Sequence, residues 1–558
     1  MTHHVFYDTE TTGPEPAYDQ ILQAAAIVTD DDFNEIDSID IRSRLAGHII
    51  PTPGALKVTH VDPYEIARAP YSAYEFARAV HEIFSRWSGS QETAFAGYNT
   101  IRFDEEIMRQ MFWQSLQDPY LTSGKNKLRS DYLITMRALH ARNPDVINFP
   151  VHPETGKKSF KLENLAPANG FDGHDAHDAL GDVRATIFLA RLIRDTDPHL
   201  FEHMLLMGNA NTAREFVDSE VVFQLLGGPM LNPGVIDACL IGSEATNPKN
   251  KSAWNLAIDP TPYLDLSPED ILAQMKKSGT PFRTVKCNKQ PGVFPMNWGF
   301  LNRVSTDDFV PADADTIDER ADIIRNHEGF RKSVEEAMAL KSASYDAKEH
   351  LEEKIYSGFP SWDDKDRMRR FHACPDWASR LEVVRDIQKD ELRALGLRMV
   401  FLNAPETLSE ALREKIDERL AEDRFTLDSD RPWTTIGTVM EELDEMDEKF
   451  PGDPEVANIR AWVLETYPVA HGWDTYKAEV AARAAAKAEA EAKAEDKPAA
   501  GAAQEETQEA ADASEEEVEV TVVAPVVAPC ATSMPAAKAK APVTRIAETA
   551  MSFLDGLE

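Results

Sequence analysis

Val5-Phe6-Tyr7-Asp8-Thr9-Glu10-Thr11-Thr12-Gly13 stands near the N-terminus of the 558-residue chain. An apolar start, β-favouring residues and a closing glycine predict a strand that ends in a turn. Side chains alternate across a strand, so Asp8 and Glu10 point to the same face. Two neighbouring carboxylates repel and are costly to hold ionised unless a cation lies between them. Hard divalent cations that take oxygen ligands, Mg²⁺ or Mn²⁺, suit such a pair. A solvated strand accounts for a bare Asp-x-Glu equally well, so the reading turns on what else in the chain joins it.

Working outward, residues 21–28 and 36–43 are two further strand-like runs. Residues 73–87 place Phe76, Val80, Ile83, Phe84 and Trp87 at helical spacing, a core-facing stripe. Residues 94–99 return as a strand, and a helix from about Asp104 turns Ile107, Met111 and Phe112 inward. Strands alternating with helices predict an α/β layer fold. Asp104 falls where strand gives way to helix, a place for an N-cap and also for a ligand group at a strand's end. Residues 161–165 begin another helix. Gly173-His174-Asp175-Ala176-His177-Asp178-Ala179-Leu180-Gly181-Asp182 then leads into an amphipathic helix carrying Val183, Ile187, Leu189, Ala190 and Ile193 inward. On one helix, His177 and Asp182 would lie roughly 140° apart. They converge only if His177 sits in the entering loop and Asp182 one turn inside.

Residues 202–230 read as a helical bridge. Short strand-like runs at 235–241, 253–258 and 282–287, broken by Pro, Gly and Asn, predict a small barrel or sandwich. From 316 to about 473 the pattern is helical. Residues 477–497, nearly all Ala, Glu, Lys and Arg, predict an exposed helix, and 498–542 lack the apolar content to order themselves. Ile546, Ala550, Phe553, Leu554 and Leu557 share one helical face at the end.

A chain of this length predicts about three domains. Its 42% hydrophobic content suits a globular protein, and no apolar run approaches a membrane span. Cys239, Cys287, Cys374 and Cys530 lack metal-ligand spacing and point to a reducing cytosol; the N-terminal residues contain no signal-peptide core. The expectation is a cytoplasmic protein. A net charge of −37 weighs against a nucleic-acid partner, although a local basic groove is compatible with it. Residues 476–558 hold 8 Lys and Arg against 16 Asp and Glu, so the tail explains only part of the excess.

Phe-Tyr-Asp-Thr-Glu-Thr-Thr-Gly at 6–13, Gly-Tyr-Asn-Thr-Ile-Arg-Phe-Asp at 97–104 and Ala-His-Asp-Ala-Leu-Gly-Asp at 176–182 resemble, in order and context, the motifs of the DEDDh 3′→5′ exonucleases. Within that superfamily the chain resembles bacterial exodeoxyribonuclease I, through residues 159–163, 285–291 and 351–359 as well. The likeness covers roughly residues 3–473 and leaves out the tail. It implies a ribonuclease-H-like α/β exonuclease domain at 1–200, a small Src-homology-3-like β barrel at 201–315 and an α-helical domain at 316–475, followed by a disordered acidic, Ala-rich tail at 476–558.

By the same resemblance Asp8 bridges two Mg²⁺ (or Mn²⁺) ions, Glu10 and Asp182 complete one site, and Asp104 supports the other. His177 is the general base, since a neutral imidazole with a pKa near 6.5 takes a proton from water. The implied activity is 3′→5′ hydrolysis of single-stranded DNA to 5′-mononucleotides in repair or recombination, by a monomer that also meets single-stranded-DNA-binding protein. Lys125, Lys127, Arg129, Lys157, Lys161, Arg283, Lys286 and Lys289 are candidates to track phosphates; Phe103, Phe160 and Trp298 are candidates to stack bases. Two other functions stay open: a 3′→5′ exoribonuclease, since the motifs do not report on the 2′ position, and a catalytically silent nucleic-acid-binding scaffold.

Overall fold

The computed structural model describes residues 2–495 apart from 90, 152–155, 173–178, 230, 305–310 and 346. The expectations for His174, His177 and residues 496–558 lie outside these described residues.

Strands β1 (His3–Thr11), β2 (Ile21–Thr29), β3 (Glu35–Arg42), β4 (Thr93–Gly97) and β5 (Lys127–Asp131) form a sheet in the order β3-β2-β1-β4-β5. β1 pairs antiparallel with β2 and parallel with β4. Helices α1 (Pro53–Val58), α2 (Pro63–Ile66), α3 (Ala73–Ser88), α4 (Asp104–Gln114), α5 (Tyr132–Arg142), α6 (Leu162–Ala168), α7 (Ala179–Thr196) and α8 (Pro198–Met207) surround it. α3 is fixed at its start by a reciprocal cap between Ser72 and Glu75, which satisfies two otherwise orphaned N–H groups.

β2 is buried along its whole length because both faces of the sheet are covered. Phe6, Ala25 and Ile27 pack with Val183, Leu189 and Ala190 of α7. Val5, Tyr7, Ala24 and Val28 face the other way, onto Phe76 and Phe84 of α3 and Ile107 and Phe112 of α4. This period of two decides where the polar end of β1 points. Asp8 and Glu10 continue the parity of Phe6, toward α7; Thr9 continues that of Tyr7, toward α4.

After α9 (Ala210–Ser219), strands β6 (Phe223–Gly227), β7 (Gly234–Ser243), β8 (Asn250–Asn255), β9 (Phe282–Lys286) and β10 (Val293–Pro295) pair antiparallel in the order β10-β6-β7-β8-β9. The expected helical bridge therefore stops at Ser219, and residues 223–227 are a strand. A short run carrying Phe223, Leu225 and Leu226 fits either state by pattern; pairing on both sides settles it. Helices α10 (Pro268–Met275), α11 (Ala314–Asn326) and α12 (Glu328–Ala343) cover one face of this second sheet, around Trp254 and Phe330.

The expected borders at 200 and 315 cut through packed elements. Phe201 and Met204 of α8 belong to the first core, and Ile317, Ile324 and Val334 of α11 and α12 to the second sheet.

The remainder is helical: α13 (Trp362–Ala373), α14 (Trp377–Asp386), α15 (Asp390–Asn403), α16 (Glu410–Arg424), α17 (Ile436–Lys449), α18 (Pro454–Thr466) and α19 (Trp473–Glu495). It shares two cores with the first unit. Tyr74, Trp113 and Leu116 pack among residues of α13 to α16, and Leu22, Ile50, Leu56 and Ile66 among those of α17 and α18. Beside the second of these, Lys57 Nζ lies 2.6 Å from Asp453 and 3.2 Å from Glu455. α19 buries Trp473 and is then exposed through residue 486 apart from the half-buried Tyr476.

Candidate active site

The parity of β1 meets two helices. α7 runs against the face that carries Asp8 and Glu10, and Asp182, in its first turn, joins them: one ligand oxygen from each of Asp8, Glu10 and Asp182 lies within 4.8 Å of the others. On the opposite face Asp104 opens α4. It does not cap the helix; its Oδ1 accepts from Thr9 N at 3.1 Å and Thr9 Oγ1 at 2.7 Å. The residue between Asp8 and Glu10 thus holds the fourth carboxylate beside the other three. Asp104 is near enough for its charge to act on Asp8 but is not part of the three-carboxylate group. Asp182 occupies the fourth position of α7, one turn inside, as expected; His177 belongs to the preceding residues that are not described.

Two glycines make the approach possible. A side chain on Gly97 would place its Cβ 2.8 Å from Tyr7 O, so only glycine lets the end of β4 lie against β1 here. A Cβ on Gly13 would fall 2.5 Å from Asp19 Oδ2. Asp19 organises the turn after β1, accepting from Thr12 Oγ1 and Glu15 N at 2.8 Å each.

Burial, and after it the charges of Asp104, Glu10 and Asp182, hold the Asp8 carboxyl well above the usual carboxylate range. Burial likewise pushes Asp104 up to about 6, against the opposing hydrogen bonds from Thr9. An array of acids that resists ionisation, set around one point, is a site built for positive charge. The all-oxygen donor set fits a hard dication.

The pH dependence has a definite sign. A carboxyl whose folded pKa exceeds its unfolded value favours folding while protonated, and that advantage is lost as pH rises from about 4 through about 6. A dication binds the ionised form and reverses the balance. Added Mg²⁺ is therefore expected to raise Tm more at pH 8 than at pH 5, read by thermal melts with and without EDTA. Equal shifts at the two pH values would refute the assignment.

A groove of about 1240 Å³ opens between the three units. Phe359 and Trp362, 75% and 83% exposed, stand on it, Phe359 against Tyr120 with ring centroids 5.6 Å apart and Trp362 beneath Lys365 at 4.6 Å. Lys125 adds positive charge, whereas Arg109, which also lines the groove, is buried and paired with Glu105. The Tyr356 hydroxyl, beside these residues, hydrogen-bonds Glu106, two positions after Asp104.

Most gripping candidates read from sequence have other employment. Arg129 pairs with Glu105 at 2.8 Å, Lys127 donates to Ser88 O, Arg283 to Thr280 O and Lys289 to Ile101 O. Lys161 is paired with Glu163, and Phe160 is buried. Phe103 packs into the core beneath α4, and Trp298 lies under Arg142 at 4.7 Å. Lys157 and Lys286 are exposed. Lys125, Lys127 and Arg129 line the groove.

Residues 5–190 match the Exonuclease family model. Exodeoxyribonuclease I of Escherichia coli K12 is 29% identical over 386 residues, 65% of this chain and 78% of that protein. Exodeoxyribonuclease I of Haemophilus influenzae is 30% identical over 388 residues, 66% of this chain and 80% of that protein. The crystal structure of E. coli Exonuclease I with a dA16 oligonucleotide superposes with a TM-score of 0.73 at 25% identity, over 84% of this chain and all of that one, and carries the ribonuclease-H-like fold. A zinc-bound form of the E. coli enzyme with single-stranded DNA is similar at TM-score 0.72 and 25% identity, over 84% of this chain and all of that one. A form containing SSB and an inhibitor is similar at TM-score 0.70 and 24% identity, over 83% of this chain and 99% of that one.

Proposed function

The chain belongs to the exodeoxyribonuclease I family, and on that footing we propose that it degrades single-stranded DNA from the 3′ end to 5′-mononucleotides. The observation that carries this reading is the convergence of Asp8, Glu10 and Asp182 on one point, with Asp104 held alongside by Thr9. We propose that these four side chains would hold two Mg²⁺ ions, with Asp8 serving both. Such ions would supply a water of lowered pKa and charge stabilisation at the phosphate.

The protein's own contribution is positional. β1 presents Asp8 and Glu10 as one edge, α7 adds Asp182 from the side, and Thr9 keeps Asp104 from turning away. His177 precedes α7 by two residues in sequence and takes the proton of the attacking water. The groove carries the incoming strand, bases against Phe359, Trp362 and Tyr120, phosphates near Lys125 and Lys365. The second sheet is the Src-homology-3-like unit, residues 346–473 the helical one, and the enzyme a cytoplasmic monomer whose protein partner is single-stranded-DNA-binding protein.

Matched DNA and RNA oligomers with a 3′ label, incubated with Mg²⁺ or with EDTA, test the reading. Mononucleotide release from DNA alone, and only with Mg²⁺, is expected. Equal release from RNA would make it an exoribonuclease, and binding without release a silent scaffold.

A further inference from the structure

Asp104 arrives at the end of a turn, residues 98–103, tied to α4 by the bond from Glu105 N to Thr100 O at 2.9 Å. Phe103, the N-cap of α4, makes no side-chain cap hydrogen bond, and Asn99 sits in the left-handed region at φ 65°. The turn is also held from outside. Asp131, buried at the end of β5, accepts from Asn99 N through Oδ1 at 2.9 Å and from Ile101 N through Oδ2 at 3.2 Å.

Asp131 is in turn held by the second sheet. In the loop after β9, Gln290 is 1% exposed and adopts φ 44°, a conformation that a side chain other than Gly's rarely takes. Its Oε1 accepts from Asp131 N at 2.6 Å and its Nε2 donates to Met204 O at 2.8 Å. Lys289 reaches the turn itself: Nζ donates to Ile101 O at 2.9 Å and lies 3.9 Å from Glu106 in the first turn of α4. Asn288 O accepts from Arg129, whose other nitrogen is bound to Glu105, the residue after Asp104. Three consecutive residues of one unit thus clamp, from three directions, the segment that delivers a ligand in another.

We propose that Asn288, Lys289 and Gln290 are positioning residues for the nuclease reaction, setting the turn that delivers Asp104 to the carboxylate cluster. The proposal rests on the reading of that cluster as the metal site. It differs from the sequence expectation for Lys289, a phosphate contact. A lysine already bound to a backbone carbonyl and set beside Glu106 has its charge answered within the protein. A strained backbone at Gln290, whose buried side chain is bound at both its oxygen and its nitrogen, fits a device for precision better than one for grip. Removing a group that orients a metal ligand typically lowers metal affinity or activity about 10–100-fold.

The test uses the full chain carrying Lys289→Met, which keeps the stem and removes the donor, and Lys289→Arg, which restores a donor. Three quantities are read: Mn²⁺ binding by calorimetry without DNA, affinity for oligo-dT in EDTA, and kcat with Mg²⁺. Lys289→Met is expected to weaken Mn²⁺ binding and lower kcat about 10-fold or more, with oligo-dT affinity in EDTA unchanged, and Lys289→Arg to recover most of both. If the loss falls on oligo-dT affinity and KM with Mn²⁺ binding intact, Lys289 is a phosphate contact and the proposal is wrong. It is equally wrong if nothing changes. Should Lys289→Met melt below the assay temperature, Gln290→Met decides: it keeps the length of the side chain and removes the acceptor for Asp131 N, and intact Mn²⁺ binding there overturns the clamp. A wild-type protein that neither binds Mn²⁺ nor releases mononucleotides refutes the metal site itself, a separate outcome.

Discussion

Asp8→Ala abolishes turnover while the protein still binds single-stranded DNA. Asp8 stands nearest in charge to all three other acids: Asp104, Glu10 and Asp182 each raise its pKa. A carboxylate so placed contacts whatever cation the cluster holds, and no neighbour on β1 can replace it, because Phe6 and Glu10 are the next side chains on that face. The groove aromatics that would hold DNA are untouched. Turnover within about tenfold of wild type would exclude Asp8 as a shared ligand. The same crowding makes a second expectation. A buried carboxyl whose folded pKa stands well above its unfolded one costs the metal-free fold stability at pH 8, so Asp8→Asn should melt higher than wild type in EDTA at that pH, an exchange of stability for function. A lower melting temperature would mean that the cluster is held together by something other than a cation.

His177→Ala loses about 10²–10⁴ in turnover, the usual scale for removing a general base. The carboxylates remain, so Mn²⁺ binding by calorimetry survives. A base must be neutral to accept a proton, so wild-type kcat rises with pH through the pKa of this imidazole, and the mutant loses that limb. His174 lies outside the motif, and His174→Ala leaves turnover close to wild type. Equal losses in the two mutants would show that this segment acts through its shape, with the base elsewhere.

The sequence made the carboxylates of the cluster legible but not what holds them. Alternation places Asp8 and Glu10 on one face, while Asp182 joins them only through the family resemblance. Thr9, Asp131 and Gln290 carry no pattern: each acts through a hydrogen bond to a backbone or side-chain atom distant in sequence, and spacing does not encode that. The misread basic residues show the same limit. Arg129 and Lys289 look like phosphate ligands until Glu105 and the Ile101 carbonyl are found beside them. The pattern of residues 223–227 predicts helix and the chain forms a strand there, because a short run carrying Phe223, Leu225 and Leu226 fits both states. Leu56 and Ile66 announce burial, yet nothing near them in sequence names their partners on α17 and α18.

That last pairing bears on how the chain is made. Leu22, Leu56 and Ile66 are covered by Ile436, Val439 and Val456, so the exonuclease unit leaves the ribosome with an apolar face that waits for residues 370 positions later, counting from Ile66 to Ile436. Synthesis adds about 5–20 residues per second, which leaves that face open for roughly 20–70 s. A nascent chain in that interval is a client for chaperones, and a copy released early, before Ile436, carries every carboxylate of the site and no cover for the face formed by Leu22, Leu56 and Ile66.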